Sequence, residues 1–407
     1  MADNFIELPD DSTFPRTAKP REIQEGNEEI VGGIRSLREL LDHVTGRELK
    51  ELPAEESGLA EVLPFPFLAM VGQLEMKLAL LISLINPAIG GVLLVGPRGT
   101  GKTTAIRGLV ELLPEVPRSL CYYGCMPEDI EAGGIDAVCP ACAHKFAQGE
   151  PLAAMDKVRL VELPLNAKLD DVLGHSEGSN EGTRYPVFRK GILAQADRNL
   201  LHIDEVNLLA DEVIDAILDA AAQGVYRIRR GNIAATYRSR FVLIGSMNPE
   251  EGKLRPQILD RFGLRLVVHG LVNVNERYEA YRRVQAYMEN PRLVTNQYAE
   301  ETKIAQAEIQ TARDLLPQVI LPTRVAGVGL EMIRRLHVDS LRAEITLFEA
   351  ARAYTVLDNR AEVTIDDLKV VAPMALRMRR SQFMESYLSD ITREDDEITK
   401  IVDASLY

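Results

Sequence analysis

No stretch of this 407-residue chain reaches the ~18 consecutive apolar residues of a membrane-spanning helix, which excludes a span of that kind. The N-terminus, Met1-Ala2-Asp3-Asn4-Phe5, has neither the basic region nor the apolar segment of a signal peptide, so a cytoplasmic protein is expected. Basic charge is in deficit: 47 Lys and Arg stand against 61 Asp and Glu, for a net −14 and a pI near 5.1. That balance argues against nucleic acid as the main partner, and otherwise serves solubility. Tryptophan is absent, which carries no functional meaning, and no repeat of fixed period is visible. The length suggests two or three domains with ample core.

What is present begins with one stretch. Val92-Leu93-Leu94-Val95 reads as a buried strand, and Ala105 to Val110 continues with helical periodicity. Between them Gly96-Pro97-Arg98-Gly99-Thr100-Gly101-Lys102-Thr103, followed by Thr104, fits G-x-x-x-x-G-K-[ST] in the strand–loop–helix context that a phosphate loop requires. The glycines let backbone N–H groups turn toward phosphate oxygens, and the helix N-terminus adds positive potential there. Lys102 has the reach for β- and γ-phosphates, and the Thr103 hydroxyl suits Mg²⁺. ATP with Mg²⁺ is therefore the expected ligand.

Two later strands carry polar residues at their carboxyl ends, where open α/β sheets collect ligands. Asn199-Leu200-Leu201-His202-Ile203 ends in Asp204-Glu205. Asp204 stands where a Walker B carboxylate holds Mg²⁺, and Glu205 where a base polarises water; the alternative is a plain acidic helix cap. Phe241 to Ser246 runs into Met247-Asn248-Pro249, so Asn248 either positions the lytic water or merely starts a turn. Arg261, in Leu254-Arg255-Pro256-Gln257-Ile258-Leu259-Asp260-Arg261-Phe262, is a candidate arginine finger for a neighbouring subunit's γ-phosphate, or else a surface ion pair with Asp260.

Strands expected at 91–95, 158–163, 199–204, 240–246 and 264–269 alternate with helices, the pattern of a parallel α/β sheet. After Val272 the β signal fades into expected helices at 275–290, 298–314, 324–337, 340–357 and 365–379, the last capped by Thr364. The organisation read from this is an acidic N-terminal extension over 1–62, partly disordered with one helix over 34–49, an α/β nucleotide domain over 63–272, and a helical domain with a C-terminal tail over 273–407.

All four cysteines fall in an insert over 121–142: Cys121-x-x-x-Cys125 and Cys139-Pro-Ala-Cys142. Cys-Pro-Ala-Cys makes a good zinc-knuckle turn. A structural Zn²⁺ site, free thiols and a redox-responsive disulfide all remain open. A catalytic zinc does not fit, because four thiolates leave no open position.

From Phe65 to about Arg380 the chain resembles the AAA+ ATPase (I) subunit of magnesium chelatase. Four stretches carry this: Phe65-Pro66-Phe67-Leu68-Ala69-Met70-Val71-Gly72-Gln73, the phosphate loop, Asp204-Glu205-Val206-Asn207-Leu208-Leu209, and the run from Asn248 to Leu264 that generic AAA+ proteins lack. The resemblance implies an AAA+ P-loop parallel-sheet domain followed by an all-helical lid. It implies an adenine pocket lined by Val71, Gly72 and Gln73, a hairpin over 225–240 before the sensor strand, Arg261 as the finger, and Arg342 as a sensor-2 contact to the γ-phosphate in its own or a neighbouring subunit. It further implies a homo-oligomeric ring, expected to be a hexamer, that works with an adhesion-domain (D-type) subunit and a large porphyrin-binding (H-type) subunit to drive Mg²⁺ into protoporphyrin IX for (bacterio)chlorophyll synthesis. The chain has no D-x-S-x-S motif and nothing like a porphyrin site of its own. It departs from the family pattern at Gly174–Gly182 with Lys190-Gly191, at Met378-Arg379-Arg380-Ser381, and in its long N-terminal extension. These departures keep a remodelling chaperone, or a cobalt-chelatase motor, as the alternative.

Overall fold

A computed structural model describes residues 63–380, except 122, 178–186, 231–232 and 253. The extension over 1–62 with its expected helix, the tail from Ser381, the 178–182 part of the family departure and the Gly231-Asn232 turn lie outside the described residues.

In chain order, helix α1 (Leu74–Ile85) leads into β1 (Val92–Val95), α2 (Lys102–Leu109) and β2 (Val116–Ser119). The cysteine insert contributes α3 (Pro127–Gly133) and α4 (Pro140–Ala147) before β3 (Ala153–Asp156). Then come β4 (Leu160–Leu163), α5 (Leu169–Leu173), β5 (Gly174–Glu177), β6 (Val187–Lys190), α6 (Ile192–Gln195), β7 (Leu200–Ile203) and α7 (Asp211–Gln223). Strands β8 (Val225–Arg230) and β9 (Ile233–Arg238) precede β10 (Val242–Met247), α8 (Pro256–Arg261) and β11 (Leu264–Val267). The helical part holds α9 (Val274–Glu289), α10 (Pro291–Gln297), α11 (Ala299–Leu315), α12 (Thr323–Arg335), α13 (Leu341–Leu357) and α14 (Ile365–Leu376).

The central sheet has five parallel strands in the order β11-β1-β10-β7-β4. Its strands read as unbroken apolar runs because both faces are covered. Val92 and Leu94 of β1 pack to one side with α1, α2 and the lid helices, while Leu93 and Val95 pack to the other with α7. Alternation along each strand thus builds a three-layer core. The single apolar cluster that joins β1, β10 and β11 to α11, α13 and α14 ties lid to sheet. One polar link between them is Asp260 of α8, whose carboxylate accepts from Ser340 (3.0 Å), Arg379 (2.9 Å) and, more loosely, Arg342 (3.5 Å). Asp260 is therefore not Arg261's partner, as a local ion pair would require.

Strands β2, β3, β5 and β6 and the insert helices are not marked by sequence periodicity, being short, and β2 and β3 are half-exposed. Each pairs locally: β2 with β3, β5 with β6, and β8 with β9, all antiparallel. At the start of α14, Thr364 accepts from Asp367 N–H (3.4 Å) while the Asp367 carboxylate accepts from Thr364 N–H (2.7 Å), a reciprocal capping box.

Candidate functional site

Because all five strands run the same way, the sheet has a carboxyl edge and an amino edge, and the predicted residues divide between them. The carboxyl edge carries the phosphate loop. Gly96 N–H donates to the Met247 carbonyl (3.1 Å), fixing the loop's root beside β10. A Cβ on Gly96 would stand 2.2 Å from the Val268 carbonyl, so only glycine fits there. Gly101 has φ +85° and starts α2, turning the helix N-terminus toward the loop. The Lys102 ammonium donates to the Gly96 (2.7 Å) and Pro97 (2.8 Å) carbonyls. Burial pulls it below its ordinary lysine value against the opposing pull of Asp204 and Glu251.

Arg98, Gly99, Thr100, Gly101, Lys102, Thr103 and Thr104 surround a cavity of about 280 Å³. Asp204, Glu205, Ser246, Met247 and Asn248 close it from β7 and β10. The Thr103 hydroxyl and the Asp204 carboxylate on this wall are hard oxygen donors, the type Mg²⁺ takes. Gly96 and Pro97 do not line the cavity; they act through their carbonyls.

The Ser246 hydroxyl donates to the Asp204 carboxylate, which also accepts from Glu205 N–H (3.1 Å). Glu205 sits at φ +49°, an uncommon conformation for a side-chain-bearing residue and one met at functional sites. Its carboxylate accepts from Arg98 (2.8 Å), and the same guanidinium pairs with Glu251 (2.6 Å). Asn248 is buried, 5% exposed, and donates to Glu251 (3.2 Å). Glu251 and Ser246 are thus site residues whose roles spacing alone did not reveal, and Arg98, already placed in the loop, gains acidic partners. The signal was available: each lies within three positions of a residue already singled out. Beneath them His202 is buried against Ser246, and burial holds its imidazole below the ordinary value.

A second cavity, about 430 Å³, opens from the loop toward the lid. Phe65, Met70, Val71 and Gln73 line it with Gly99, Thr100, Gly101 and Thr104 of the loop and Arg277, Ala280 and Val284 of α9. It shares four loop residues with the phosphate cavity, so the two adjoin across the loop and are together termed the nucleotide cleft. Gly72 (φ +64°) is not among its lining residues, but a Cβ there would stand 2.5 Å from Leu271, which is. Gln73 also donates to the His269 carbonyl (2.6 Å).

Arg261 and Arg342 lie elsewhere. Together they line a cavity of about 230 Å³ with Ile89, Gly90, Asp219, Asp260 and Gly263. Gly90 stands two residues before β1 and Gly263 immediately before β11, so this cavity is on the amino edge of the sheet. The Arg261 guanidinium is ion-paired with Asp219 (2.6 Å) and remains partly exposed. Strand β1 separates the two edges; its four residues span about 13 Å. Both arginines therefore lie toward the opposite end of β1 from the phosphate cavity of their own chain.

The four cysteines converge: their sulfurs all lie within 4.8 Å of one another, in the insert between β2 and β3 and apart from both cavities.

A P-loop on a five-stranded parallel sheet, acids at the end of β7, an amide at the end of β10 and a helical lid over the nucleotide cleft together define an AAA+ ATPase. Comparison narrows the class. The profile of magnesium chelatase, subunit ChlI, matches residues 180–266, and that of the AAA lid domain matches 332–401. The magnesium-chelatase subunit ChlI homolog of Methanocaldococcus jannaschii is 42% identical over 325 residues, covering 78% of this chain and 87% of the relative. Magnesium-chelatase subunit ChlI of Synechocystis is 40% identical over 320 residues, covering 77% and 88%. A solved structure from Cytophaga hutchinsonii, named as a candidate ATPase, shares the fold with a TM-score of 0.51 at 19% identity, over 76% of this chain and 83% of that one. The chain belongs to the magnesium chelatase I-subunit family, the AAA+ motor of that enzyme. Among the described residues, no helix is long and apolar enough to cross a membrane.

Proposed function

We propose that this chain hydrolyses ATP in a ring, not as a lone subunit but through sites shared between neighbours, and that the cycle drives Mg²⁺ insertion into protoporphyrin IX on a separate porphyrin-binding subunit. The observation that carries this is the division of the site: carboxylates and phosphate loop on one edge of the sheet, Arg261 and Arg342 on the other. A head-to-tail ring brings one subunit's amino edge to the next subunit's carboxyl edge. A hexamer is the ring size we propose, with a D-type adhesion-domain subunit and an H-type subunit as partners.

Within the cleft, Val71 and Gln73 flank the base, and the loop N–H groups from Gly99 to Thr104 cradle the phosphates. Lys102 exchanges its carbonyl partners for phosphate oxygens. Thr103 and Asp204 would hold the Mg²⁺ that accompanies ATP and offsets the charge of its phosphates. Ser246 fixes the Asp204 carboxylate for that task. Glu205 accepts the proton of the attacking water, oriented by Asn248, once Arg98 releases its carboxylate. Arg261 of the adjoining subunit, freed from Asp219, meets the negative charge that builds on the γ-phosphoryl group. Arg342, on lid helix α13, enters from the same side, its position coupled through Asp260 to α8, the helix that carries Arg261.

The test is reconstitution. Chain, D-type and H-type subunits, ATP, Mg²⁺ and protoporphyrin should give Mg-protoporphyrin, read by its fluorescence. Metalloporphyrin no higher than in the reaction without ATP would contradict the assignment.

A further inference from the structure

The insert between β2 and β3 has a core too small to hold itself together. Its apolar cluster contains four buried residues, Cys125, Val138, Cys142 and Leu152, and two of these are cysteines. Segments with so little core need a staple. The cysteines are arranged as one. Cys121 Sγ lies 3.8 Å from Cys125 Sγ and 3.6 Å from Cys139 Sγ, and all four sulfurs fall within 4.8 Å of each other. A tetrahedral ZnS₄ centre with Zn–S of about 2.3 Å has S···S edges of about 3.8 Å. A multi-iron cluster would hold its thiolates farther apart, and two disulfides would not need all four sulfurs to face one point. Backbone N–H groups already point at the sulfurs: Tyr123 donates to Cys121 and Cys139 donates to Cys125, each at 3.3 Å. Such bonds stabilise thiolates.

We propose that Cys121, Cys125, Cys139 and Cys142 bind one structural Zn²⁺, and that this knuckle braces the β8–β9 hairpin. The brace runs through α3, which follows Cys125 directly. Asp129 of α3 is ion-paired with Arg238 of β9, and Glu128 receives both bonds from Arg198 (3.2 Å each) just ahead of β7. With the metal lost, α3 has no buried residue of its own to keep it in place. The zinc site does not depend on the chelatase assignment, and it lies outside the nucleotide cleft.

The test uses the full-length chain purified without a metal-affinity step, with metal content measured by mass spectrometry. One zinc per chain is expected, released by a mercurial as four thiols react. Cys142→Ser should reduce the zinc to below about a tenth of that, since a closed four-ligand site tolerates no missing thiolate. A metal-free wild-type chain with four reactive thiols, a disulfide between any two of them, or iron in place of zinc would overturn the site. These wild-type readouts decide it even if the variant does not fold. For the brace, hydrogen exchange at 225–238 should speed up about tenfold in Cys142→Ser and in Asp129→Asn. Asp129→Asn should keep its zinc, and both variants should bind a fluorescent ATP analogue as wild type does. Unchanged exchange in a zinc-depleted chain would refute the brace.

Discussion

The two edges of the sheet differ in how complete they are. The carboxyl edge holds phosphate loop, Mg²⁺-type oxygen donors, candidate base and water-orienting amide in one cavity. The amino edge holds two arginines and the acids that restrain them, Asp219 and Asp260. One edge can bind a nucleotide, but the arginine that lines it, Arg98, is held by Glu205 and Glu251. The other has the guanidinia but nothing for them to act on. On the reading proposed above, each chain makes both halves of a site it cannot close alone, and turnover becomes a property of the junction.

Substitutions on the two edges should therefore fail in different ways. Arg261→Ala is expected to lower ATP turnover most, by ~10⁴-fold, with ATP binding retained because the cleft is untouched. Wild-type turnover in a folded variant would remove the finger. Glu205→Gln should cost ~10³-fold with ATP still bound, read as phosphate release against binding of a fluorescent analogue. Near-normal hydrolysis would show that another group takes the proton. Arg342→Ala should lose roughly 10²-fold, and the loss should appear in kcat more than in KM, because it acts after the nucleotide is seated.

The smallest effect should come from a site on neither edge. Thr364→Ala removes the hydroxyl half of the α14 capping box and should lower unfolding stability by about 1 kcal/mol while kcat stays at the wild-type value. Its partner adds a pH signature. Burial alone would raise the Asp367 carboxyl, but bonds from Arg360 and Thr364 outweigh this and hold it below its ordinary value. The stability it supplies is present above the ordinary aspartate range and is lost as pH falls below that range. Asp367→Asn should flatten that acid limb of a thermal-denaturation series; an unchanged limb would assign it to other carboxylates.

The carboxyl edge was legible in the sequence because its chemistry is local. Lys102 and Thr103 follow the glycines directly, and Asp204-Glu205 and Asn248 sit where apolar strands end. The strand order was not, because it depends on which runs pair, and pairing is a long-range choice. That order is what puts Ser246 on Asp204 and Arg98 on Glu205, contacts between residues 42 and 107 positions apart. Arg261 was legible as a residue but not as a location: its separation from Lys102 follows only once β1 and β11 are known to run parallel side by side. The insert was the least legible. Its helices are short and its strands half-exposed, so neither period dominates, and the meeting of Cys121 with Cys139 depends on the turn between them.

The most direct measurement mixes two inactive proteins. Arg261→Ala subunits keep Glu205, and Glu205→Gln subunits keep Arg261. In a 1:1 random ring about a quarter of junctions pair an intact base with an intact finger, so turnover should recover to roughly a quarter of the wild-type rate. No recovery, with both variants folded, binding ATP and assembling together, would contradict a site shared between subunits.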